Sequence, residues 1–163
     1  MLGSVLLLTF LVQSGSWNLH LISHQIGEER YSISKSDGGI VMTSKFEYSD
    51  RGMKRPATLT MSLGADYSPK SFELKGRTTQ SLSVSGATAE FHDGDAVRSV
   101  AVPSTAFVGV GLTPVAQQML MMRYWAAHGK PAQLAILPDK PARVAVIQFA
   151  AHDVVNGSWA LNT

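Results

Sequence analysis

Pro114-Val115-Ala116-Gln117-Gln118-Met119-Leu120-Met121-Met122-Arg123-Tyr124-Trp125-Ala126-Ala127-His128 carries helical signals in a chain otherwise patterned for strands, and it decides the fold. Thr113 supplies an N-terminal cap and Pro114 suits a first turn. Gly129 followed by Pro131 stops the run, so the spacing predicts a helix over Pro114–His128. Ten of its fifteen residues are apolar, and at about 100° per residue they cover nearly the whole circumference. Only Gln117, Gln118, Arg123 and His128 are strongly polar. A helix apolar all round is buried on most sides. In a small β protein that places it in the concave face of a curved sheet.

Upstream of this helix the pattern alternates at period two, the signature of half-buried strands. Trp17, Leu19 and Leu21 share one face, as do Tyr31 and Ile33, and the turn Ser36-Asp37-Gly38-Gly39 offers positive-φ residues for a tight hairpin. Ile40, Met42, Phe46 and Tyr48 alternate with Val41, Thr43, Lys45 and Glu47. After Asp50-Arg51-Gly52 come Leu59, Met61 and Leu63, then Phe72 and Leu74, Leu82 and Val84, and Ala87, Ala89 and Phe91 before His92-Asp93-Gly94-Asp95. A short strand spans Val97–Val102. These make about seven strands with no helix between them for parallel crossovers, hence an antiparallel meander. Beyond the helix, Pro131–Pro141 with its three prolines reads as a surface loop. Strands follow at Arg143–Phe149 and Val154–Leu161, with Asn156-Gly157 as a turn. The predicted fold class is mainly β (α+β): a curved antiparallel sheet, or half-barrel, wrapped around one central helix.

With 163 residues the chain suits one domain with a real core. Charged residues are 16% and apolar residues 45%, which excludes extended disorder. The net charge of +2 comes from scattered basic residues, and gives no ground for nucleic acid as a partner. The absence of cysteine removes disulfides, thiolate metal sites and cysteine nucleophiles.

Near the amino terminus Val5-Leu6-Leu7-Leu8-Thr9-Phe10-Leu11-Val12 is too short to span a bilayer, a task that needs about 20 residues. It fits the apolar core of a secretory signal, with Val12 and Ser14 at the small-residue positions before Gly15. Residues 1–14 are then a signal peptide, residues 15–163 a single domain, and the location periplasmic or secreted. No Lys or Arg precedes the run, and the alternative is a buried first strand or helix of the fold.

Constellations that carry chemistry are sparse. His20 and His24, four apart in a strand, stand about 13 Å from each other, too far to share one ion. His92-Asp93 and His152-Asp153 sit beside turn signals. Adjacent Glu28 and Glu29 point to opposite faces of a strand and cannot share a substrate atom; one is expected in solvent and the other paired with a strand neighbour. No Gly-x-Ser-x-Gly nucleophile turn is present. Gly109-Val110-Gly111-Leu112-Thr113-Pro114 opens the helix like half of a dinucleotide fingerprint, without the third glycine, the βαβ unit or the later acidic residue. Its amides offer an anion site, while its glycines also explain a lead-in to the concave face. Phe46, Tyr48, Met61, Met119, Met122 and Trp125 are the candidate ligand-binding residues, because methionine and aromatic side chains adapt to an apolar guest. The competing explanation is a close-packed core plug. No catalytic residue, metal ligand or cofactor is assigned.

Ile26-Gly27-Glu28-Glu29 with Tyr31, Phe46-Glu47-Tyr48 with Asp50-Arg51-Gly52, Ser71-Phe72-Glu73 with Lys75-Gly76, and Leu120 through Arg123-Tyr124-Trp125 with His128-Gly129 and Pro131 form a further pattern. It resembles the β-rich amino-terminal domain that precedes the catalytic barrel in secreted bacterial amidohydrolases of the imidazolonepropionase-like type. The resemblance covers most of the chain from Gly15 to about Gly157, and its motifs are structural. It implies a plan similar to the lipoprotein-carrier half-barrels. It also implies that the metal-binding histidines belong to the following barrel, so none is carried onto this chain. Further strands are implied beyond Thr163, which leaves two alternatives, a complete sheet or a chain truncated at its C-terminus. The expected function is a non-catalytic accessory or substrate-presenting domain for an amidohydrolase barrel. The alternatives are a periplasmic carrier holding a lipid-like or aromatic ligand between sheet and helix, and a stand-alone hydrolase.

Overall fold

A computed structural model of the chain describes residues 11–21, 23–109, 114–138, 143–147 and 161–162. Eight strands run in chain order across one open antiparallel sheet. They are β1 (Leu11–Leu21), β2 (His24–Ser36), β3 (Gly39–Asp50), β4 (Met53–Leu63), β5 (Pro69–Lys75), β6 (Thr79–Ser85), β7 (Thr88–Asp93) and β8 (Ala96–Ala101). The meander predicted from alternation is therefore present, with one strand more than the expected seven.

Register follows from turn chemistry. Asp50 pairs with Met53 across a two-residue turn in which Arg51 and Gly52 have φ of 50° and 78°, the mirror-image turn that suits the right-handed twist of a hairpin. At the β2–β3 turn the left-handed residue is Gly39, with φ of 128°, and the backbone carbonyl of Leu63 leaves no room there for a Cβ.

Because antiparallel partners share a face, the register aligns Ile33, Met42, Met61, Phe72, Leu82 and Phe91 into one row across six strands. All six are buried, and each such side chain contributes about 1.5–3 kcal/mol by leaving water. The opposite face carries Ser32, Thr43, Thr60, Glu73, Ser81 and His92 in the neighbouring row.

The chain then forms β9 (Ala106–Val108), the helix α1 (Val115–Ala127) and β10 (Gln133–Leu137), followed by β11 (Arg143–Ile147) and β12 (Leu161–Asn162). These four strands make a second sheet in the order β12-β11-β10-β9, in which β9 and β10 are parallel. Two expectations are corrected here. The proline-rich 131–141 stretch is not wholly a surface loop, because Leu134 and Leu137 anchor β10 at zero exposure. The helix is also the crossover of a β9–α1–β10 unit, which the three-residue β9 was too short to announce. Thr113, most of the leader run, part of the Gly109–Pro114 loop, and all but Leu161 of the Val154–Leu161 strand with its turn lie outside the described residues.

Helix α1 buries Ala116, Gln117, Leu120, Met121 and Tyr124, one stripe at helical spacing. Met119, Met122 and Trp125 are half-buried, and Ala126 and Ala127 are exposed. Its buried apolar side chains share one core cluster with the inward row of the eight-stranded sheet; Glu29 of β2 meets its first turn, and Ser68 of the β4–β5 loop meets His128 just beyond its last. Among the described residues no helix is long and apolar enough to cross a membrane.

Candidate functional site

The first turn of an α-helix leaves backbone N–H groups without partners and carries partial positive charge. Pro114 offers no side-chain cap and α1 has no acidic residue in its first turn. The negative group comes instead from β2. Glu29 Oε2 accepts the N–H of Val115 at 2.6 Å, and Oε1 accepts that of Ala116 at 3.1 Å and the Ser44 hydroxyl at 2.7 Å. Glu29 has no exposed surface, whereas the Glu28 side chain is 54% exposed and pairs with Arg30 at 3.3 Å. The opposite-face reading of the two glutamates holds, and so does the pairing with a strand neighbour, Ser44. The helix contacts of Glu29 were not foreseen. Two residues before Glu29, a Cβ on Gly27 would collide with the Glu47 carbonyl, so β2 and β3 meet closely beside the carboxylate.

The same contacts revise the view of the Gly109–Pro114 loop. The strand–helix–parallel-strand unit thought missing is present, yet the helix-start amides where an anion would bind are taken by Glu29.

At the other end of α1, His128 closes the contact. Its ring stacks on Tyr124 at 3.9 Å, Nδ1 lies 2.9 Å from the Tyr124 carbonyl, and Nε2 lies 3.3 Å from Ser68 Oγ and 3.4 Å from Asp66 Oδ2. The Ser68 hydroxyl and amide both donate to Asp66, and these bonds hold the Asp66 carboxyl below its ordinary value. The Ala106 N–H donates to the Tyr124 hydroxyl at 3.2 Å, and burial pushes that phenol above its usual range. Midway, Arg123 donates to Gln13 of β1 at 2.7 Å. Gln117, fully buried, donates to the Val108 carbonyl at 2.8 Å, and its Oε1 has no partner among the described residues.

The six candidate ligand residues come from β3, β4 and α1. Phe46 and Met61 belong to the buried core of the sheet, and Tyr48 is half-buried near the end of β3. Met119 and Met122 fall outside the buried stripe of α1. Trp125 donates its indole N–H to the Pro131 carbonyl at 2.8 Å and lies 5.8 Å beneath Lys130 Nζ. A cavity of about 300 Å³ opens elsewhere, on the outer face of the sheet, with Thr60, Ser62, Ser71, Ser83, Glu73 and His92 in its lining. Of the six, only Met61 borders it.

His20 and His24 do not lie along one strand as their spacing suggested. The chain reverses between them, His24 pairs with Leu21, and His20 therefore stands on the other face. Among the described residues no three His, Cys, Asp or Glu side chains converge as a metal set.

No family model, no curated protein and no solved structure matches this chain.

Proposed function

We propose that the chain is a non-catalytic accessory domain that acts outside the cytoplasm and packs against, or presents substrate to, a hydrolase barrel of the amidohydrolase type. The observation that carries this proposal is the use made of Glu29. It is a buried carboxylate, and its oxygens are engaged by the helix start and Ser44, so its chemistry is spent on holding α1 in the sheet. A domain built around a fixed plug offers its outer surfaces, not its interior, to a partner.

The rival carrier role has one favourable observation, the half-burial of Met119, Met122 and Trp125 on α1. A guest between sheet and helix would have to displace contacts at both ends of α1, which is why the accessory role is preferred.

The test is made on the native protein and on the isolated chain. Intact mass and sequencing of the native species are expected to find a metal-ligating hydrolase barrel in the same polypeptide or in a stable complex. The 163-residue chain alone is expected to turn over no member of an amide and ester panel. A stoichiometric apolar ligand released on organic extraction, or turnover by the chain alone, would overturn the proposal. N-terminal sequencing checks export. Cleavage before Gly15 would remove residues 11–14 of β1, and with them the Gln13 partner of Arg123.

A further inference from the structure

The cavity on the outer face of the sheet, about 300 Å³, lies at the small end of ligand-sized sites. Its lining includes the hydroxyls of Thr60, Ser62, Ser71, Ser81 and Ser83, from β4, β5 and β6. The register sets Ser62, Ser71 and Ser83 side by side, and in the next row Thr60, Glu73, Ser81 and His92. The hydroxyl side chains are short, so the pleat is left uncovered beside the longer Glu73 and His92, and a recess results. Among the described residues none of the five hydroxyls has a hydrogen-bond partner, whereas those of Ser34, Ser44, Ser68 and Thr88 all have one.

The two ionisable groups of the lining are already answered within the protein. Lys75 Nζ lies 2.9 Å from Glu73 Oε2, and His92 Nε2 lies 2.6 Å from Glu90 Oε1. Neither Lys75 nor Glu90 lines the recess. Glu73 Oε1 and His92 Nδ1 remain as further hydrogen-bonding atoms. Ser81 stands between the two residues in the register, so at the strand spacing of a sheet their Cα atoms are about 10 Å apart.

We propose that this recess binds a neutral carbohydrate of one or two sugar units, whose hydroxyls bond Glu73, His92 and the serine and threonine floor. A hydroxyl both donates and accepts, so a floor of hydroxyls is matched group for group by a ligand made of hydroxyls. An apolar ligand would strip them of water and return no hydrogen bond. An ionic ligand meets no unanswered charge in the lining, and so gains no ion pair to offset its own desolvation. Sugar hydroxyls set around a ring reach Glu73 on one side and His92 on the other. Phe72 borders the recess but is buried with Met61 and Leu82 in the core, so no ring is offered for stacking, and the affinity is expected to be millimolar.

The site lies within residues 41–92, so it is common to the full chain and to a form cleaved before Gly15, and it does not rest on the hydrolase-associated role. The test is a nitrogen-15 NMR titration of the 163-residue chain with glucose, galactose, N-acetylglucosamine, maltose and cellobiose, beside glucose 6-phosphate and spermidine as charged probes. At least one neutral sugar is expected to give saturable amide shifts confined to β4–β7 around Thr60, Ser71, Ser81 and His92. Ser81→Val, which suits a strand and removes the hydroxyl between Glu73 and His92, is expected to weaken that binding about tenfold. Thr43→Val, in the same row but outside the recess, is expected to leave it unchanged. The proposal is overturned if none of the sugars gives a saturable shift, or if a charged probe shifts the same amides as strongly. Undiminished binding by Ser81→Val, with the circular dichroism spectrum unchanged, overturns it as well.

Discussion

The carboxylate of Glu29 accepts the backbone N–H of Val115 at 2.6 Å across 86 residues of chain, so a strand near the amino terminus caps the helix that fills the sheet. This contact ties the first turn of α1 to β2. It is a charge-assisted bond to a carboxylate with no exposed surface, and burial strengthens such bonds.

Removing that carboxylate orphans two helix amides and the Ser44 hydroxyl at once. Glu29→Ala is expected to cost about 3–5 kcal/mol, and Glu29→Gln, which keeps an acceptor but loses the charge, about 1–2 kcal/mol. Urea unfolding followed by far-ultraviolet circular dichroism measures both. Equal losses would mean that the charge contributes nothing.

Gln117 is buried with one satisfied and one unsatisfied polar atom, so its net contribution should be small. Gln117→Leu is expected to change stability by less than about 1 kcal/mol, whereas Gln117→Glu should cost about 3 kcal/mol or more by burying an unpaired charge. Thermal melts of the two variants beside wild type separate the cases by sign and size.

Trp125 sits at the rim of the core, not at its centre, with its indole N–H on Pro131. Trp125→Ala is therefore expected to cost about 2–3 kcal/mol, less than the 3–5 kcal/mol of a fully buried ring. Tyr124→Phe, which strips the partner from the Ala106 N–H, should cost about 1–2 kcal/mol. Denaturant midpoints measured at constant slope report both.

Asp66 supplies a pH dependence. Its folded-state value is held down by the Ser68 bonds, so its contribution to stability is present above the ordinary carboxylate range and is lost as pH falls through the lowered value, below about pH 4. The group is 61% exposed, and solvent screening keeps the effect well under about 1 kcal/mol. Asp66→Asn should flatten the acid limb of the stability profile and leave neutral pH almost unchanged. An unaltered acid limb would remove Asp66 from the account.

The strands of the meander and the body of α1 were legible in the sequence because each is written in local spacing. Alternation sorted Met42 from Thr43 and Met61 from Thr60, and the proline and glycine around 114–131 bracketed the helix. Other features had no local signal. Strand β9 is three residues long and pairs in parallel with β10 across an entire helix, while β10 hides its buried Leu134 and Leu137 among prolines. For the candidate ligand residues, apolar character favours a place out of water without saying beside what.

From the sequence alone came the mainly β class, the helix limits to within a residue, and the certainty that Glu28 and Glu29 part company at the backbone. Only the tertiary structure decided which of the two turns inward and what it meets there. A strand's pleat is set by neighbours one and two residues away. The meeting of a carboxylate with a helix start depends on how every intervening strand twists and stacks.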